Sequence, residues 1–359
     1  MSSLLTRLAS SALVTMLIAV HPAAIGAETA QTSPMDATAA GVDMFSLSFP
    51  TVTGPYMAGN QALNDLRTEE AARYFSEAAR ADWDNPILVE RAFVGYAADG
   101  QIGQAAATAK HLLELDANNE LAELVIATEA LKERRYGAAE QLLGAIGQES
   151  FTGITAGILR AWALVGDNKR DQAESELDRL AEAGLEDFLV FHRALMAEAA
   201  GDSKTAITLA GQAYDNEPFV ARIVEVYARV LANAGEFEQA REVIANFENQ
   251  GLSHPVVTIV KKQVEAGQRP GVFAANVQIG AAEMFHGIGV ALARDASPDL
   301  AVVFLRLGLY LDPAGDVISL ALGQLLDGAD QHDAANRIYD GVPATSPMKP
   351  TAVVRIAQN

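Results

Sequence analysis

The chain contains no cysteine. That excludes disulfides, thiolate metal sites, cysteine nucleophiles and a lipidated bacterial N-terminus. Aromatics are few, 6% of 359 residues, although half of the residues are apolar. Alanine supplies much of that apolar share, and small side chains in bulk suit helices that approach one another closely. Positive charge is scarce too: 26 Lys and Arg against 46 Asp and Glu leave a formal net charge of -20, with no basic cluster along the sequence. Such a chain repels a phosphate backbone, which argues against nucleic-acid binding.

Motifs of chemistry are also missing. There is no GxxxxGK[ST] phosphate loop, and Gly287-Ile288-Gly289 lies inside a helical pattern rather than after a strand. Gly153 to Gly157 lacks both the serine and the strand context of a nucleophile elbow and reads as a helix start. Glu283 and His286 have the three-residue spacing of di-iron bundle ligands, but that centre needs a second such motif and two more carboxylates. His286 is therefore read as structural, and no catalytic residue, metal or cofactor is expected.

The first 27 residues read as a secretory signal: Arg7, an apolar run from Ala12 to Val20, then small residues ending at Ala27. The run is too short to span a bilayer. Export to the periplasm is expected, with possible peripheral association with the outer membrane and no transmembrane span in the mature chain. Residues 28–51 are rich in Thr, Ser, Ala and Pro and read as a flexible leader, on which Phe45, Leu47 and Phe49 alternate.

What is present is a beat. Ala71, Ala105, Ala139, Ala173, Ala206 and Ala240 fall at intervals of 34, 34, 34, 33 and 34 residues, each opening a helix-like stretch. Glycines such as Gly100, Gly201 and Gly235 precede several of them. The spacing predicts paired antiparallel helices, each pair one tile of a solenoid. The residues resemble the tetratricopeptide-repeat family, and the signal-bearing members of Gram-negative bacteria within it. Phe285, Ile288, Gly289 and Leu292 precede Ala301, Leu305 and Pro313; one period on come Leu322, Gly323 and Leu326, then Ala335, Tyr339 and Pro347. The resemblance implies an all-α, right-handed superhelical solenoid over roughly 52–359, in which small residues such as Gly289 and Gly323 let paired helices close up. Ser297-Pro298 is expected to cap and start a helix.

From Ala240 the next marker is Ala301, a gap of 61. The expected organisation is an N-terminal solenoid over 52–266 with a closing helix at about 254–266, a linker at 267–280, and a second repeat segment over 281–359. The segment at the C-terminus starts a first helix with no partner, which points to a fragment of a longer repeat protein.

The resemblance implies that first helices line a concave groove that takes partner segments. The register puts Phe188, Phe191, Leu195 and Glu198 there in the fifth unit, and Arg222, Glu225, Arg229 and Asn233 in the sixth. Trp162 has two possible places, in the packing between helices or in the groove, and the packing place is preferred. The carboxylate clamp of one family subset is not reproduced: Asn60 fits, but Tyr56, Arg91, Leu121 and Val125 do not. The expected function is a non-enzymatic adaptor of the cell envelope that binds a protein or peptide in the groove. The alternative is an enzyme or enzyme accessory whose site lies in a missing C-terminal region.

Overall fold

The computed structural model describes residues 52–147, 150–181, 186–294 and 297–359. The signal sequence and the leader with Phe45, Leu47 and Phe49 lie outside the described residues. Every regular element described is a helix, and there are eighteen.

The first twelve pair off in order. These are α1 (Thr53–Asn64) with α2 (Thr68–Ala81), α3 (Pro86–Asp99) with α4 (Ile102–Leu115), and α5 (Glu120–Lys132) with α6 (Tyr136–Ala145). Then come α7 (Phe151–Gly166) with α8 (Arg170–Leu180), α9 (Glu186–Ala199) with α10 (Ser203–Asn216), and α11 (Ala221–Ala234) with α12 (Phe237–Asn249). A single helix, α13 (Pro255–Glu265), follows; residues 266–276 carry no helix. The chain resumes with α14 (Val277–Arg294), α15 (Pro298–Leu311), α16 (Asp316–Asp327), α17 (His332–Asp340) and α18 (Lys349–Gln358). Apart from α13 and α14, on either side of the helix-free segment, successive helices pack on one another, as in a tetratricopeptide-like solenoid.

The alanine beat has a single structural meaning. Each marker is the fourth residue of the second helix of its pair, and all six, with Ala301 and Ala335, are at most 2% exposed. A methyl group is all that fits where the second helix crosses its neighbours, so large side chains fill in from the side. Gly323 shows the complementary case: a Cβ there would lie 2.2 Å from the Tyr339 ring, so only glycine lets α16 close on α17.

A second beat runs through the backbone. Leu66, Gly100, Arg134, Asn168, Gly201, Gly235 and Asp330 all have positive φ, from 54° to 96°. Each sits in the turn inside a helix pair, and the next residue donates its N–H back to a carbonyl five residues earlier, as in Gln101 to Tyr96 and Arg135 to Ala130. This is the left-handed helix stop. Only three of these seven turns use glycine, so the glycine pattern shows less than half of the real periodicity.

Helix starts are set by side chains at several first helices. Asn85, Asn119 and Ser150 each accept a backbone N–H from the first turn, at 3.2, 2.9 and 2.9 Å. Ser150 thereby fixes the start of α7, the stretch that only superficially looked like a nucleophile elbow. Ser297 differs from expectation: Pro298 does open α15, but the Ser297 side chain makes no capping bond.

The second run of helices does not extend the first. α14 and α15 turn back and pack against α3, α4, α5, α7 and α9, which are, α4 apart, the first helices that line the inner face of the solenoid. Polar contacts pin the hairpin along its length. Gln278 donates to the Leu131 carbonyl at 2.7 Å, Lys132 to the Leu311 carbonyl at 3.1 Å, and Arg306 to the Ala98 carbonyl at 3.3 Å. Those carbonyls lie at helix C-termini, where unpaired acceptors attract cations and amide donors. Further on, Arg337 of α17 approaches Glu69 of α2 at 3.5 Å, so late helices meet the earliest ones.

Candidate functional site

The inner trough is the site the fold builds, and its floor is made where α7, α9 and α11 present side chains inward. One stripe of α14 meets them. Gly280, Glu283 and Gly287 are spaced by three and four residues and so share a helix face. Gly280 faces Trp162, where a Cβ would come within 2.2 Å of the indole. Gly287 faces Phe188, with its Cβ position 3.2 Å from that ring. Between them Glu283 reaches Arg222.

That ion pair is bidentate. Arg222 Nε and Nη2 donate to the two Glu283 oxygens at 2.9 and 2.8 Å, and Nη1 donates to Glu225 at 2.9 Å. Glu225 accepts in turn from Arg229 Nε at 3.1 Å, and His286 Nδ1 lies 3.4 Å from Glu283. The Glu283 and Glu225 side chains are only 5% and 4% exposed. Burial opposes the Glu283 charge, but Arg222 and then His286 outweigh it and hold the carboxyl well below the usual range. Burial likewise opposes the Arg222 charge, and the Glu283 and Glu225 carboxylates reverse that, raising its pKa.

Beside this network lies an aromatic cluster. His192 of α9 is buried, with ring centroids 6.4 Å from Trp162, 5.0 Å from Phe188 and 5.8 Å from Phe191. Its Nδ1 and the Trp162 Nε1 have no hydrogen-bond partner among the described residues. Burial pushes the His192 pKa down to about 4, against a smaller upward pull from Glu283. Trp162 is fully buried, but the helix that buries it is α14, so it occupies the groove position and not the packing position preferred from the sequence.

The loop before α14 crosses the same floor as a strap. The Asn233 amide pairs with both backbone groups of Gly271, donating to its carbonyl and accepting its N–H at 3.0 Å each. Glu198 accepts the Phe273 N–H at 3.0 Å and the Asn233 amide at 3.1 Å. Arg229 donates to the Pro270 carbonyl at 3.3 Å, and the Arg222 guanidinium lies 4.4 Å above the Phe273 ring. Burial raises the Glu198 pKa in spite of these two donors.

Six of the eight side chains expected in the groove, from α9 and α11, meet the strap, α14 or the ion-pair network between them. Glu198, Arg222, Arg229 and Asn233 hold residues 270–283, Phe188 touches α14, Phe191 and Leu195 are buried, and Glu225 links the two arginines. In this structure the segment they hold belongs to the same chain. The sequence reading missed that occupant, along with Trp162, His192 and Glu283 as members of the site. Glu283 carried a signal in hindsight: a lone acid in an apolar helix requires a buried cation.

No group of three His, Asp or Glu that could hold a metal ion occurs among the described residues. No described helix is long and apolar enough to cross a membrane.

The fold and trough define a tetratricopeptide-like helical-repeat protein whose inner face is occupied by its own chain. Among solved structures it is similar to a tetratricopeptide repeat protein from Parabacteroides merdae, with 12% identity over 77% of this chain and 98% of that one and a TM-score of 0.45. It is also similar to the Cut9-Hcn1 hetero-tetramer of APC/C, with 13% identity over 88% of this chain and a TM-score of 0.35. Yeast Tom70 is matched at 12% identity over 86% of this chain and 95% of that one, with a TM-score of 0.25. The chain spans 57% of the length of the matched APC/C chain. No family model matches the sequence, and no curated protein matches it.

Proposed function

We propose that the protein is a non-enzymatic interaction scaffold of the bacterial cell envelope, whose trough takes an extended segment of a partner protein in the place now held by residues 270–273. The observation that carries this reading is the way Asn233, Glu198 and Arg229 address the backbone of the strap. Pairing with main-chain N–H and C=O groups grips any extended chain, while the Arg222 face beneath Phe273 selects an aromatic side chain. The strap is an exchangeable ligand because it is loop, with Gly271 and Val272 exposed on its outer side. The helical hairpin behind it stays in place.

A labelled peptide of residues 267–276 tests this. It is expected to bind a Phe273→Ser variant, whose own strap is loosened, more tightly than the wild type, and to lose that binding when Asn233→Ala is added. Equal binding with and without Asn233, in folded variants, would remove the trough from the proposal.

The envelope assignment is supported by the pattern of the first 27 residues alone. In a Gram-negative host the full chain is expected to be released by osmotic shock with Glu28 at its N-terminus. Recovery from the cytoplasm with Met1 intact would overturn it.

A further inference from the structure

A second concavity, which shares Arg222 with the strap site, lies between the α14–α16–α18 wall and the α11 and α13 N-termini. Its volume is about 460 Å³. Leu305, Val317, Leu320, Ala321 and Met348 give it an apolar wall. Arg222 lies at one end with His254 and His286, Arg294 and Arg355 lie at the other, and no Asp or Glu is among the described lining residues. The two ends are about 12 Å apart, from the eight-residue separation of His286 and Arg294 along α14.

The two ends are not equivalent. Arg222 is already matched by Glu283 and Glu225, so the inner end is neutralised from behind. Arg355 has no carboxylate within ion-pair distance among the described residues, and with Arg294 and Gln324 it forms the outer mouth. An anion therefore gains most at the mouth, with an apolar body extending inward along Ala321 and Leu320.

Polarity decides what that body is. An extended peptide would bury backbone N–H and C=O groups against a wall whose one polar side chain between the two ends, among the described residues, is Thr351, leaving most of them unpaired. An unbranched alkyl chain with one anionic head leaves none unpaired. We propose that this cavity binds a single-chain anionic amphiphile of the fatty-acid class, its chain between α14, α16 and α18 and its carboxylate at Arg355.

Displacement of a fluorescent fatty-acid reporter from the full chain tests this, with dodecanoate, dodecanol and dodecyltrimethylammonium as competitors. Dodecanoate is expected to displace the reporter at one site per chain, and the cationic chain is expected to fail. Arg355→Glu should weaken dodecanoate by about tenfold or more, the usual loss for a charge-assisted contact, while Arg355→Lys should retain most of the affinity. Ala321→Trp, which fills the wall without touching the mouth, should abolish binding. The proposal is overturned if the cationic chain competes as well as the anionic one, or if dodecanoate binding survives both Arg355→Glu and Ala321→Trp.

Discussion

Replacing Glu283 with alanine is expected to destabilise the chain by about 3–5 kcal/mol, the range for removing one partner of a buried ion pair. The cost is not mainly the lost attraction. Arg222 would keep its charge and its burial, with Glu225 alone to compensate, and Glu225 already serves Arg229. The same change unpins α14 from α11, so the 270–290 segment should become the first site of proteolysis. Removing both charges distinguishes this from a simple packing defect. Arg222→Leu with Glu283→Leu should recover most of the loss, because two apolar residues of similar size replace a pair whose desolvation was costly. Urea unfolding of the wild type and the two variants measures both effects. A Glu283→Ala protein within about 1 kcal/mol of the wild type would show that the pair does not hold the hairpin in the trough.

The second large effect is on acid stability, through His192. Its pKa is about 4 when folded and 6.5 when free. A depressed folded value means that the unfolded chain binds the proton first as pH falls. The stability tied to neutral His192 is therefore fully present above pH 6.5, declines below it, and is lost by the time pH has passed through 4. The difference between the two states corresponds to a loss of about 3 kcal/mol across that window, at about 1.36 kcal/mol per pH unit. Glu283 works in the same direction lower down, since its folded pKa is also depressed. Comparing wild type with His192→Leu separates the two. The variant should lose markedly less stability between pH 6.5 and 4, and similar slopes for both proteins would exclude His192 as the acid-sensitive group.

The repeat architecture was legible because it is a local property. Alanine recurs at Ala71, Ala105 and onward because each second helix crosses its neighbours at the same distance, and nothing larger than a methyl group fits. The turns were half legible. Gly100, Gly201 and Gly235 announce a left-handed residue, but Leu66, Arg134, Asn168 and Asp330 adopt the same conformation without glycine. There the two helices on either side dictate the backbone and override the preference of the side chain.

The trough was legible in its lining and not in its content. Helical spacing put Phe188, Glu198, Arg222, Arg229 and Asn233 among the groove candidates, and these side chains meet the strap or α14. Apart from the lone acid Glu283, the local pattern of α14 is that of any other first helix of a repeat, however. Its inward stripe of Gly280, Glu283 and Gly287 looks like the small-residue face of another helix pair until Trp162, Arg222 and Phe188 are set against it.

By itself, then, the sequence determined a stack of α-helix pairs with an alanine at every crossing, since a 34-residue spacing constrains neighbours in the chain. The tertiary structure alone decided that the stack closes on its own later helices and that five separate cationic and histidine side chains surround one apolar cavity. Those outcomes depend on partners 61 residues apart, as in Arg222 and Glu283, or 147 apart, as in Leu131 and Gln278. Such pairs are selected by shape and charge after the solenoid has curved, and no short-range pattern carries them.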